Sequence, residues 1–286
     1  MNTHRPAHAD EVGRAASLFP PSASRGGQGA RHCFVAVREM PVERLTAAAF
    51  WWPVAEADGG RGVEFDWAAG PALSWDGQVA FLGALVAEIR CQAVDAAWIA
   101  PAAWLPEGHA GIGILEAAGF ACSARRSLYG VEAAKARDIL ASQAAPESPA
   151  ELREPALEDF ESLRALLCGP ALRPADLAMG MRSAASHQPS LYDPRSSAVL
   201  LRDGEITAAL LAQSRHGHLT LAALAGAPDD CARLLLHGLQ GREGLPEPTT
   251  LGFQIDHRLP APALTRLAEI LPCQLAGTFL RFEKSS

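Results

Sequence analysis

The sequence predicts an α/β (α+β) chain of two tandem copies of one domain, each a mixed, mainly antiparallel sheet flanked by helices. Three observations predict it. Residues 33–132 and 198–283 repeat one order of elements, and a repeat that long means duplication of a domain. The closing segments, Ala121-Cys-Ser-Ala-Arg-Arg-Ser-Leu-Tyr-Gly-Val-Glu132 and Pro272-Cys-Gln-Leu-Ala-Gly-Thr-Phe-Leu-Arg-Phe-Glu283, align without a gap, Cys122 on Cys273 and Glu132 on Glu283. Each copy also alternates short β-branched or aromatic runs with runs of helical periodicity. A length of 286 residues suits two domains, placed at 1–145 and 146–286.

In order along the chain, Asp10 to Phe19 reads as a short helix and Pro20 to Gly29, dense in chain breakers, as a loop. Cys33–Val37, Leu45–Trp52 and Val63–Ala68 read as an antiparallel meander. Phe81, Leu82, Leu85, Val86 and Ile89 recur at three- and four-residue steps, so Phe81 to Cys91 is a helix with one apolar stripe. A strand at Ala96–Ala100 and a helix at Gly111–Ala118, stopped by Gly119, precede a closing strand or hairpin at Phe120–Val131. Residues 133–150 hold a helical extension and a Pro- and Ser-bearing linker. The second copy follows: helix Asp159–Leu167, a helix-bearing insertion at 170–196, strands Ala198–Leu201, Ile206–Gln213 and Leu219–Leu224 with Asp203-Gly204 as a hairpin turn, helix Asp229–Leu239, strand Thr250–Ile255, helix Pro262–Ile270 and strand Gln274–Phe282. The openings match as Pro6-Ala7 with Asp10 against Pro155-Ala156 with Asp159.

Composition bounds the function. Hydrophobic residues at 49% and charged residues at 20% are those of a globular chain. A net charge of −7 and the lack of Lys/Arg clusters argue against nucleic acid and anionic membranes as partners. No apolar run reaches the ~18 residues needed to span a bilayer. The six cysteines form no Cys-x-x-Cys pair and sit in apolar stretches, which predicts buried thiols in a reducing cytoplasm.

Gly113-Ile-Leu-Glu-Ala-Ala-Gly-Phe120 and Pro155-Ala-Leu-Glu-Asp-Phe-Glu-Ser-Leu-Arg-Ala-Leu-Leu167, set in this order of elements, resemble the last helix and the opening strand and helix of the GCN5-related N-acetyltransferase (GNAT) superfamily. The resemblance covers nearly the whole chain except the 170–196 insertion and the termini. It implies central strands that splay apart, with the pantetheine arm of acyl-CoA pairing to the fourth strand. It also implies a loop after that strand, usually Gln/Arg-x-x-Gly-x-Gly/Ala, whose amides bind the pyrophosphate at a helix N-terminus. In the first copy that loop falls on Ala69, Gly70, Trp75, Gly77, Gln78, Val79 and Ala80, the expected acetyl-CoA-binding residues. The motif is degenerate there, with Ser74 at the Gln/Arg position and Val79 at the second small position. In the second copy, Asp229 and Asp230 stand where a diphosphate would lie, and they suit helix capping instead.

The chemistry implied is direct acyl transfer to an amine, which needs a base and a proton donor. Leu115 stands where the family usually has its Tyr acid. Glu64 and Asp66 alternate on the fourth strand and so share a face, where either can serve as base; a solvated strand face is the plainer reading. His109, in the loop before the last helix, is the candidate for acid–base work near neutral pH, against a loop histidine without a role. Asp256-His257 holds the comparable place in the second copy, as a substrate-orienting pair or a turn and cap. His216-Gly-His218 has the spacing of two metal ligands without a third, so a β-turn is expected and no metal. Trp51, Trp52, Trp67, Trp75, Trp98 and Trp104 all lie in the first copy, as core or as an apolar pocket.

Three functions fit. The first is an acyl-CoA-dependent N-acyltransferase acting on an amine of a small molecule or protein, with the first copy holding CoA. The second is a non-catalytic GNAT-fold protein that binds a ligand or partner. The third, an aminoacyl-transferring relative, is opposed by the absence of a basic groove for tRNA. The acceptor, the acyl group and the oligomeric state are not specified by sequence.

Overall fold

A computed structural model of the chain describes residues 2–19, 32–38, 44–55, 61–143, 150–167, 192–240, 247–257 and 261–285. The expected loop at 20–29, residues 145–149 of the expected linker with the domain boundary placed in it, and most of the 170–196 insertion lie outside the described residues. Two compact units form: unit 1 comprises Met1–Ala124 with Phe279–Ser286, and unit 2 comprises Arg125–Thr278.

In unit 1, strands β1 (Asn2–Pro6), β2 (His32–Arg38), β3 (Arg44–Ala55) and β4 (Arg61–Ala69) form an antiparallel meander, and β5 (Trp98–Pro101) joins β4 in parallel. The end of β13 (Gln274–Ser285) completes this sheet, Lys284 and Ser285 pairing with Ile99 and Trp98 of β5. A two-residue strand, β6 (Leu105–Pro106), pairs Leu280 and Phe279 on the other part of the same strand. Alternation then decides the faces. Val63 and Phe65 turn to the side covered by helix α2 (Trp75–Gln92), which buries the expected stripe of Phe81, Leu82, Leu85, Val86 and Ile89. Val35, Val37 and Ala48 turn to the other side, against Ala15 of helix α1 (Glu11–Ala16).

Helix α2 begins six residues before the apolar stripe that announced it, because Ser74 caps it: the Gly77 amide donates to Ser74 Oγ at 3.2 Å. Helix α3 (Gly111–Ala117) ends at Gly119, whose φ of +84° is the left-handed conformation such a stop requires. The closing segment β7 (Ala121–Glu132) is one uninterrupted strand rather than a hairpin.

Unit 2 repeats the plan. Strands β8 (Glu151–Arg153), β9 (Ala198–Arg202), β10 (Glu205–Arg215) and β11 (His218–Ala225) form the meander, β12 (Thr250–Asp256) joins β11 in parallel, and residues 126–132 of β7 pair with β12. Thus the sixth strand of each unit is the closing strand of the other copy. Helices α5 (Phe160–Leu167), α6 (Pro228–Leu239) and α7 (Pro262–Ile270) stand where α1, α2 and α3 stand in unit 1. Asp203-Gly204 and His216-Gly217 are hairpin turns with positive φ at all four residues, so His216 shapes a turn. Asp230 pairs with Arg202 at 2.6 Å, a structural job.

The two openings superpose one residue off the sequence alignment. Arg5 clasps Glu11 through two bonds of 2.7 and 2.9 Å, and the His8 amide donates to the same carboxylate. Arg153 clasps Asp159 through two bonds of 2.7 Å, with the Ala156 amide in the role of His8. The partner of Asp159 in the first copy is therefore Glu11 and not Asp10, because the structure aligns the clasp rather than the prolines.

Candidate functional site

In both units the parallel pair of central strands parts. In unit 1 the ladder runs from Gly62↔Trp98 to Phe65↔Pro101 and closes with the Ala102 amide on the Phe65 carbonyl, at 2.8 Å. Beyond it, Asp66 to Ala69 stay paired to β3 on one side, and no described strand pairs with them on the other. The cleft so opened has a volume of about 390 Å³ and is lined by Asp66 to Ala69, Gln78 of α2, Pro101, His109 and the first residues of α3. That volume lies in the range of small-molecule sites.

The corresponding ladder in unit 2 ends at Leu221↔Phe253, but the space beyond it is occupied by the chain itself. Helix α4 (Ala133–Gln143) buries Ala133, Ala136 and Leu140 against Leu224, Leu235 and Leu267, leaving a cavity of about 200 Å³. Small residues on one face let α4 lie close against α6.

The cleft of unit 1 gathers Asp66, His109, Ala69 and Gln78 from the sequence-derived candidates. The His109 ring is fixed by its own loop: the Gly111 amide donates to Nδ1 at 3.0 Å, and Gly111 has no Cβ to crowd the ring. An N–H can only donate, so Nδ1 is the accepting nitrogen and the neutral ring carries its proton on Nε2. His109 thus presents a hydrogen-bond donor. Leu115, at the family's Tyr position, is fully buried in the core.

Glu64 lies one strand step away on the same face as Asp66, yet Arg281 holds it at 3.2 Å and also holds Glu283 at 3.1 Å, with the guanidinium over the Trp98 ring. Of the remaining loop candidates, several amides bond within the protein. Gly70 donates to the Thr46 carbonyl at 2.8 Å, Gly77 to Ser74 Oγ, and Gln78 to the Ser74 carbonyl at 3.0 Å. A Cβ at Gly77 would stand 2.6 Å from Leu73 Cδ1, so the position is closely packed against that side chain. Trp75 is half exposed, while Val79 and Ala80 continue the helix.

The other candidates are tied up. Ser127 Oγ and His257 Nε2 lie 2.8 Å apart and Arg126 pairs with Asp256, which binds the β12 end to β7. His218 Nδ1 contacts Thr250 Oγ1. Among the described residues no three His, Cys, Asp or Glu side chains gather to hold a metal, and no helix is long and apolar enough to cross a membrane; the described cysteines are free, but Cys91 and Cys122 are exposed where buried thiols were expected. Sequence reasoning missed the role of α4, whose Ala133, Ala136 and Leu140 at three- and four-residue spacing were the available signal.

This is the tandem GNAT fold, two-domain and of mixed sheets flanked by helices. The chain is similar over 99% of its length to a GCN5-related N-acetyltransferase from Sphaerobacter thermophilus, at 15% identity and a TM-score of 0.57, covering 95% of that chain. It is similar over its full length to a tandem GNAT protein from the clavulanic acid biosynthesis pathway, at 12% identity and a TM-score of 0.57, covering 98% of it. A GCN5-related N-acetyltransferase from Kribbella flavida matches at 12% identity and a TM-score of 0.55, with 72% of that chain covered. No family model matches the chain. No curated protein matches it either.

Proposed function

We propose that the chain is an acyl-CoA-dependent N-acyltransferase with one working cleft, that of unit 1. The observation that carries the reading is the parting of β4 from β5, which leaves the backbone of Asp66 to Ala69 beside a cleft that also holds a carboxylate and an oriented imidazole. An extended pantetheine arm fits such a strand edge, because main-chain groups supply its amide partners. The diphosphate end fits less well, since Gly70, Gly77 and Gln78 donate their amides internally, and binding there falls to the dipole and first turn of α2. Unit 2 serves as a structural partner whose cleft α4 fills.

In this mechanism Asp66 accepts a proton from the acceptor ammonium, freeing the nitrogen lone pair to attack the thioester carbonyl. His109 Nε2–H donates a hydrogen bond to the carbonyl oxygen as charge develops there, and as the C–S bond breaks the extra proton on the attacking nitrogen passes to the departing thiolate, leaving amide and free thiol. Acyl-CoA supplies the activated acyl group. Glu64, paired with Arg281, acts in positioning the strand.

Calorimetric titration of CoA and acetyl-CoA into the full chain tests the reading. Micromolar binding is expected, with roughly tenfold or greater loss in Ala103→Trp, which places bulk at an exposed point of the cleft wall. His109→Ala is expected to retain binding and lose about 10²-fold in transfer rate. Absence of CoA binding would favour the second reading, a non-catalytic ligand-binding module, which the internally bonded loop amides support.

A further inference from the structure

Unit 2 keeps a cavity of about 200 Å³ between the last turn of α4 and helices α6 and α7. Its walls are aliphatic, built from Leu140 of α4, Cys231 and Leu235 of α6, and Leu267 and Ile270 of α7. No aromatic side chain and no carboxylate belongs to the described lining. Burial, helped by the charge of Asp230, pushes the Cys231 thiol up to about 11, and the thiol donates to the Gly226 carbonyl at 3.5 Å, so Cys231 stays neutral and adds to the apolar wall. The one charged residue of the described lining is Arg266. Ala263, Arg266, Leu267 and Ile270 fall at three- and four-residue steps, so the guanidinium rises from the same face of α7 that walls the cavity. Arg266 is exposed and has no ion-pair or hydrogen-bond partner among the described residues.

Aliphatic walls reward burial of an apolar body, and an apolar cavity of about 150 Å³ is already large enough to take a benzene-sized molecule. An exposed guanidinium at the rim keeps its water and still offers the forked donors that match a carboxylate. From these two observations we infer that the cavity is a binding site for a short aliphatic monocarboxylate, its carboxylate at Arg266 and its chain against Leu140, Leu235 and Leu267. The volume of about 200 Å³ admits a short chain and excludes a long one. The site is separate from the cleft of unit 1 and does not rest on acyl transfer. Its occupant touches all three helices and so fastens the end of α4 to α6 and α7.

The test titrates hexanoate, 1-hexanol and acetate into the full chain by calorimetry and follows amide hydrogen exchange with hexanoate in excess. Hexanoate is expected to bind with a Kd of roughly 1 mM or tighter, about fivefold or more below that of hexanol, which lacks the charge, and of acetate, which lacks the chain. Arg266→Gln, at an exposed position tolerant of change, is expected to bring hexanoate down to the affinity of hexanol. Ala263→Leu, which places bulk in the cavity, is expected to weaken hexanoate and hexanol alike by about fivefold. Exchange is expected to slow at Leu140–Gln143 and at Pro262–Ile270, which places the ligand in this cavity. Equal affinity for hexanoate and hexanol, affinity unchanged in both variants, or protection confined to unit 1 overturns the assignment, as does absence of binding by hexanoate at about 10 mM.

Discussion

Phe282→Ala is expected to destabilise unit 1 by about 3–5 kcal/mol, the usual range for truncating a fully buried phenylalanine. Phe282 is 2% exposed, and it belongs to the core that holds Phe65, Phe81, Leu115 and Phe120. The strand that carries it reaches unit 1 from the far end of the chain, so its loss acts on the sheet that borders the cleft. Lys284 adds to the same attachment, its Nζ donating to the Ala118 carbonyl at 2.6 Å behind α3. Urea denaturation followed by Trp fluorescence reads the effect, since the tryptophans all lie in the first copy. Leu275→Ala, 58% exposed on the other part of the strand, is the control and is expected to stay within about 0.5 kcal/mol of the parent. A loss for Phe282→Ala no larger than that of the control would remove the strand's assignment to unit 1.

Arg5→Ala is expected to cost about 3 kcal/mol near neutral pH, because it leaves the Glu11 carboxylate, 3% exposed, without its partner. The Arg5 hydrogen bonds hold Glu11 down from the ordinary 4.5 to about 2. The sign follows directly: a depressed carboxylate stabilises the fold above its unfolded pKa, and that stability drains away as pH falls from about 4.5 through about 2. The parent therefore loses stability across this window, while Arg5→Ala lacks that loss and its deficit narrows. Urea midpoints for both proteins at about pH 7 and about pH 3 check it. A deficit that stays constant between the two would show that the clasp is not what lowers Glu11. Arg153 and Asp159 form the same device in unit 2, where the Arg153 hydrogen bonds likewise lower Asp159.

Which residues become strands and helices was legible because those choices are local. Val63, Phe65 and their polar neighbours Glu64 and Asp66 alternate with the period of a strand, and Phe81 to Ile89 recur with the period of a helix. The gap-free match of Ala121–Glu132 with Pro272–Glu283 likewise announced a duplication. The start of α2 at Trp75 was hidden, since a Ser cap leaves no apolar periodicity to read. Gly77, expected in an anion-binding loop, also stands where a Cβ would come within 2.6 Å of Leu73 Cδ1, a closeness that is a matter of packing.

The sequence by itself determined the repeated plan of the units, the faces of their strands and the residue types available for acid–base chemistry. Only the tertiary structure decided that each closing strand completes the sheet of the other copy, that α4 packs into one cleft while the other stays open, and that Asp66 and His109 line the same space. The physical reason is that strand edges and apolar faces specify that they must be covered, and periodicity carries no record of which distant segment covers them.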